Sequence, residues 1–263
     1  MAFWIPHRVD DDRFRLPASP AGCVGVPGRY AMMGGVTSAA VITAMEEITG
    51  RQLLWSTTQF ISHAPAEVDF DIQVSLLAEG ARITQAQGSI FDGDRLVLQT
   101  SAALGDVSDE SGDQYCEPRA WISPESCPAK ESGPPVETGG LLDQFERRVA
   151  QQSDEAGFES LWFRLKDSRL NEERRVSAGL LAVLGDFLPG AVSPTRGASS
   201  VDNTLRINRL ESCEWMLAET SIQAIQGRLY QGVMNIFSES GALLAVASQT
   251  GIRLKVLSEE ESV

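Results

Sequence analysis

The chain has 263 residues, 43% of them hydrophobic and 22% charged, enough apolar side chain for a sizeable core and too much for a disordered polymer. Thirty-six acidic residues against twenty-two basic ones give a formal net charge of -14. That charge repels nucleic acid and anionic membrane, so neither is an expected partner, and an anionic ligand would need local arginines or helix N-termini to hold it.

The opening stretch from Met1 to Arg8 has no basic segment followed by an apolar one, and no run approaches the roughly 18 apolar residues of a membrane span. A cytoplasmic protein is expected. The cysteines, Cys23, Cys116, Cys127 and Cys213, form no C-x-x-C pair and read as free thiols, with no metal site and no cofactor expected.

Gly34-Gly35 opens a helical stretch over residues 34–47, with small residues Thr37, Ser38, Ala39 and Ala40 that let strands approach, and Gly50 ends it. Strand patterns follow at residues 53–63, 68–77, 82–91 and 95–104, the last two joined by the turn signal Asp92-Gly93. Residues 105–140 are rich in Asp, Glu, Ser, Gly and Pro and lack periodicity, which reads as a linker across the surface. Beyond it come a strand at 161–165 and a helix at 176–188, with Leu180, Leu181, Leu184, Phe187 and Leu188 near one face, stopped by Pro189-Gly190. Strands at 200–207, 215–225, 229–237 and 243–253 complete the chain.

The two halves are copies. Ile90-Phe91, a turn and Leu96-Val97-Leu98 recur as Ile236-Phe237, Ser240-Gly241 and Leu243-Leu244-Ala245, the first pair displaced by 146 residues. A period that long marks a duplicated domain, since solenoid units repeat every 20–50 residues or so. A long helix followed by an antiparallel meander buries its apolar face against the concave side of a curled sheet. The expected fold is therefore α+β, a double hotdog: a first hotdog in residues 1–107, a linker in 108–140 and a second hotdog in 141–263, paired through their sheets.

Several stretches together resemble the type II acyl-CoA thioesterases: Gly34-Gly35-Val36, Trp162-Phe163-Arg164, Leu184 through Pro189, Ser200-Val201-Asp202 with Arg209, Glu214 through Leu217, and Gly241 with Ser248 through Gly251. The resemblance implies hydrolysis of acyl-CoA to free acid and coenzyme A by a water held between an aspartate, a hydroxyl and a glutamine. It places the aspartate at Asp202 and the glutamine at Gln249. Ungapped counting puts the hydroxyl at Gln223, a departure from the family, with Ser221 the nearest hydroxyl on that strand face. Asn203 stands where relatives often carry histidine.

That chemistry needs a base for the attacking water and donors for the developing oxyanion. Asp202 would be the base, Gln249 would orient the water, Gln223 or Ser221 would add a third hydrogen bond, and the free N–H groups at Gly34 and Gly35 would polarise the carbonyl. Competing roles are ordinary ones: a salt bridge from Asp202 to Arg206, a solvated Gln249, and close helix packing at the two glycines. Arg196, Arg206, Arg209 and Arg228 are cations that could meet phosphate or only solvent, and His7 and His63 lack a triad context. An enoyl-CoA hydratase of this fold would pair an Asp with a His, and no histidine follows Asp202; a non-catalytic acyl-CoA-binding protein is the other alternative. A homo-oligomer is expected.

Overall fold

The computed structural model describes residues 2–26, 29–106, 112–119, 121–131, 139–166 and 176–253. In chain order they form β1 (His7–Arg8), β2 (Arg13–Leu16), β3 (Cys23–Val26), β4 (Arg29–Met32), α1 (Gly34–Thr49), β5 (Gln52–Phe60), β6 (Phe70–Glu79), β7 (Ile83–Asp92) and β8 (Arg95–Gly105). The second half supplies β9 (Phe145–Ser153), β10 (Phe158–Leu165), α2 (Ala178–Gly185), β11 (Ser199–Ser200), β12 (Asp202–Ile207), β13 (Met216–Gln226), β14 (Leu229–Ser238) and β15 (Leu243–Ile252).

Helix α1 carries no charged residue before Glu46 and buries Val36, Ala39, Ala40, Val41, Ile42, Ala44 and Met45, the pattern of a helix surrounded by protein. Gly50 ends it at φ 63°, in the left-handed region, its N–H closing on the Glu46 carbonyl. Helix α2 begins at Ser177, whose hydroxyl accepts from the Leu180 N–H. The helices run antiparallel in close contact. A Cβ added at Gly35 would lie 3.0 Å from the carbonyl oxygens of Ala182 and Val183.

The main sheet is antiparallel, in the order β1-β2-β6-β7-β8-β5-β12-β15-β14-β13-β10-β9, with β11 beside β15 and β3–β4 forming a separate ribbon. Both copies repeat one strand order and meet at β5 and β12, where Thr57 and Thr204 face each other and share a hydroxyl hydrogen bond of 3.0 Å. The sheet is open and curls around the two helices, so the architecture is the expected double hotdog. Strands β1 to β4 and β9 were not legible as periodic runs, because β1 and β3 are short and β9 (FERRVAQQS) is polar in the manner of an edge strand.

Residues 112–119 and 121–131 lie on the outer face of the second sheet. Cys127 joins Trp162, Trp215, Leu217 and Phe237 in a second, small core. Trp162 donates its indole N–H to the Ile122 carbonyl at 2.9 Å, and Trp121 stands edge-on to it. The remainder of the expected linker, residues 107–111, 120 and 132–138, lies outside the described residues. No helix among the described residues is long and apolar enough to cross a membrane.

Candidate active site

Helix α2 stops at Gly185, and the next residue, Asp186, is buried with its carboxylate aimed at the start of α1. Oδ2 accepts from the Gly35 N–H at 2.7 Å, while Oδ1 accepts from the Ser200 hydroxyl at 2.8 Å and from the Gln249 side-chain amide. Burial pushes its pKa up to about 6, opposed by those three donors. Desolvation disfavours the charged form and donor hydrogen bonds favour it. The result is a carboxylate poised near neutrality, where a general base is most effective.

Gln249 sits on β15 with its side chain on the sheet's inner face, where it is 3% exposed. Its amide nitrogen donates to Asp186 and, at 2.7 Å, to the Ser200 oxygen; its carbonyl oxygen accepts from the Tyr230 hydroxyl at 3.2 Å. Asp186, Ser200, Gln249 and Tyr230 thus form one chain of hydrogen bonds. Beside it, buried Asn203 donates to the Gly185 carbonyl and fixes the end of α2.

A shift of register brings Ser200 into this group. Ser200 stands opposite Gly251 and Thr204 opposite Ser248, so three residues of one strand run past two of the other. Such a bulge resets side-chain alternation. Ser200, Asn203 and Leu205 therefore reach inward, where uninterrupted alternation would have grouped 200 with 202. Asp202 is half-buried on the other face, its carboxylate accepting from the Thr250 N–H at 2.7 Å; among the described residues it makes no ion pair with Arg206.

Gln223 is the extra residue of a second bulge, between Ile222 and Ala224; it is exposed, and its amide donates back to the Ser221 carbonyl. Ser221 lies between Phe158 and Val233 in the sheet, on the same face as Glu219, which bonds the N–H of Arg119 in the crossing segment. Of the residues singled out from sequence, Gln249 and Gly35 share the Asp186 carboxylate; Asp202 lies close by, bonded to the N–H of Thr250 beside Gln249, and among the described residues Ser221 and Gln223 make no hydrogen bond to the group. Gly34 is adjacent: a Cβ there would lie 2.6 Å from the Phe60 ring and 3.0 Å from Asp186 Oδ2. Among the described residues its N–H meets no acceptor.

Residues 124–253 match the sequence model of the acyl-CoA thioesterase C-terminal domain family. A candidate thioesterase from Novosphingobium aromaticivorans is similar in structure, with a TM-score of 0.88 and 28% identity, over 97% of this chain and 100% of that one. The chain is a double hotdog whose second half carries the acyl-CoA thioesterase C-terminal domain and whose structural neighbours include type II thioesterases. The same fold is seen in the acyl-CoA thioesterase II TesB2 of Mycobacterium marinum (TM-score 0.74, 15% identity, 97% and 98% covered) and the tesB protein of Mycobacterium avium subsp. paratuberculosis (0.73, 19%, 96% and 97%). No curated protein gives a significant sequence match.

In this thioesterase-like chain only one of two symmetry-related places carries the polar group. The register that sets Gln249 opposite Gly232 sets Ala102 opposite Ala86, and the pair Tyr230–Gly251 corresponds to Thr84–Leu104. In the first copy alanine thus replaces Gln249, leucine replaces Gly251, and Thr84, bonded to Arg51, replaces Tyr230.

A cavity of about 490 Å³ lies in the second copy, with Phe187, the neighbour of Asp186, in its wall together with Leu161, Phe163, Ala218 and Met234; Asp186, Ser200 and Gln249 do not line it. It extends along the inner face through the cross-strand row Met234, Thr220, Glu159. Lys130 and Glu159 form an ion pair in its lining, beside Arg147 and Arg196. Burial raises the Glu159 pKa and lowers that of Arg147.

Proposed function

We propose that the chain hydrolyses acyl-CoA thioesters with a water held by Asp186, Ser200 and Gln249. The observation that carries this reading is the buried Asp186 carboxylate, shifted to about 6 and bonded by a hydroxyl and an amide from the opposing sheet. This arrangement supports Asp186, rather than Asp202, as the base, and Ser200, rather than Ser221 or Gln223, as the hydroxyl.

In this mechanism Asp186 takes a proton as the water oxygen bonds to the thioester carbon. The oxyanion that forms meets the Gly34 N–H at the positive end of α1. When the tetrahedral centre collapses, the carbon–sulfur bond breaks and coenzyme A leaves as thiolate, which needs little assistance because thiols have pKa values near about 8.5. Asp186 returns its proton to the thiolate or to solvent. Gly35 has a different task, since its N–H is held by Asp186 and anchors the base.

The acyl group would occupy the cavity beyond Phe187, where each buried methylene contributes about 0.8 kcal/mol. A reducing, cytoplasmic setting fits the four free cysteines, three of them buried. Thiol release from a panel of acyl-CoA esters tests the activity. Free thiol from wild type and none from Asp186→Asn supports it; tight binding of acyl-CoA without thiol release by the wild-type protein would replace it with a binding role.

A further inference from the structure

Tyr230 is completely buried, and its hydroxyl hydrogen points at the Gln249 carbonyl oxygen. An amide can be turned either way at almost no intrinsic cost, so its partners decide which end faces the base. Here the nitrogen end must face Asp186, because the oxygen end would set two acceptors against each other. That choice leaves the Gln249 oxygen buried at the far side, where an unmet acceptor is costly.

The Tyr230 hydroxyl meets that oxygen, and the backbone has been shaped to let it. Tyr230 lies directly across from Gly251, and a Cβ at Gly251 would come within 2.2 Å of the ring. Only a bare position lets the ring cross the strand and reach the side chain two residues away. In the first copy, where the counterpart of Gln249 is Ala102, the corresponding pair is Thr84 and Leu104. Tyrosine, glycine and glutamine are present together in one copy and replaced together in the other.

We propose that Tyr230 is a positioning residue for catalysis, acting through Gln249 to hold the amide nitrogen on the Asp186–Ser200 pair, with Gly251 as the space that admits its ring. This rests on the reading of Asp186 as the base. Burial, with the charges of Asp186 and Asp202 adding to it, raises the Tyr230 pKa, so the phenol stays protonated and donates throughout any working pH range. No atom of Tyr230 needs to touch substrate.

The decisive variant is Tyr230→Phe, which keeps the ring and removes the donor. With the amide free to turn, Asp186 loses a donor to its charged form and holds its proton more tightly. The expected result is kcat lower by about tenfold, the equivalent of one hydrogen bond, with KM within about twofold. The acid limb of the pH–kcat profile should move upward by several tenths of a unit or more. Gly251→Ala, which displaces the ring, should move the limb the same way, and the double variant should add little to either single one.

A carboxyl-carbon NMR titration of Asp186, run without substrate, separates this proposal from the activity itself. A higher Asp186 midpoint in Tyr230→Phe supports it whether or not the protein turns over a given ester. An unchanged midpoint, or a lowered melting temperature with kcat and pH profile intact, overturns it and leaves Tyr230 a packing residue. Full turnover by Asp186→Asn would instead remove the base assignment, while the titration still judges the Tyr230 contact.

Discussion

The Gly35 N–H and the Asp186 carboxylate meet at 2.7 Å although 151 residues separate them, tying the start of α1 to the end of α2. The proposed base, carried by the second copy, is thus anchored by the first. Asp186→Asn should lower kcat by about 100-fold to 10,000-fold, the usual contribution of a positioned general base. Asp202→Asn, altering a carboxylate that among the described residues bonds the Thr250 N–H, should leave turnover close to wild type and change stability by about 1 kcal/mol or less. Parallel kcat and melting measurements on both variants check the pair.

The pH dependence follows from the same group. With Asp186 as the proposed base, turnover would require its ionised form, so kcat should rise with pH through a midpoint near 6. Stability runs the other way. The folded-state pKa lies above the ordinary value of 3.8, so the folded protein binds the proton more tightly than the unfolded chain does. The penalty for ionising the buried group is absent below that value, grows from about pH 4 to about pH 6, and is constant above. Buried Glu46, also raised to about 6, acts in the same window but equally in both proteins. The melting temperature of wild type minus that of Asp186→Asn should therefore fall between pH 4 and 6 and then level off.

Gly35→Ala should destabilise the fold by about 1–3 kcal/mol, because its Cβ would stand 2.8 Å from the Asp186 Cβ and against two backbone carbonyls that cannot easily retreat. It should also lower kcat by disturbing the base. Gly50→Ala supplies the contrast: its space is open and only the left-handed φ of 63° is strained, so it should cost about 1 kcal/mol and leave kcat unchanged. Denaturant melts with kcat on each folded variant distinguish strain at the site from strain elsewhere.

Chain-length preference reports on the cavity. For wild type, kcat/KM should rise with acyl length until the space beyond Phe187 is full, and Ala218→Phe, which fills part of its wall, should shift the optimum to shorter esters. Equal rates for acetyl and long-chain esters would place the acyl group outside this cavity.

The helices, most strands and the duplication were legible in the sequence because periodicity and turn residues report them directly. Gln249 entered through the family resemblance, since strand alternation alone also allows a solvated residue there; the structure buries it. Ser200 was hidden by the bulge after it, which breaks the alternation that strand reading depends on, whereas Asp202 was named from the family resemblance. Asp186 was within a recognised stretch, but a residue just past a helix reads as a cap until its partners 151 residues before and 63 residues after it are known. Tyr230 alternated as a core residue and is one, and the role proposed for it is confined to a single hydroxyl.

The seam between β5 and β12, closed by Thr57 and Thr204, makes activity a property of stoichiometry. A chain severed between its halves would yield two fragments, each with a bare inner edge and an incomplete catalytic group: Gly34 and Gly35 on one, Asp186, Ser200 and Gln249 on the other. Turnover would then depend on the product of the two fragment concentrations at low dose and saturate at one-to-one, as complementation does. Covalent linkage removes that dependence, so dilution that silences the fragments would leave the intact chain working at full specific activity.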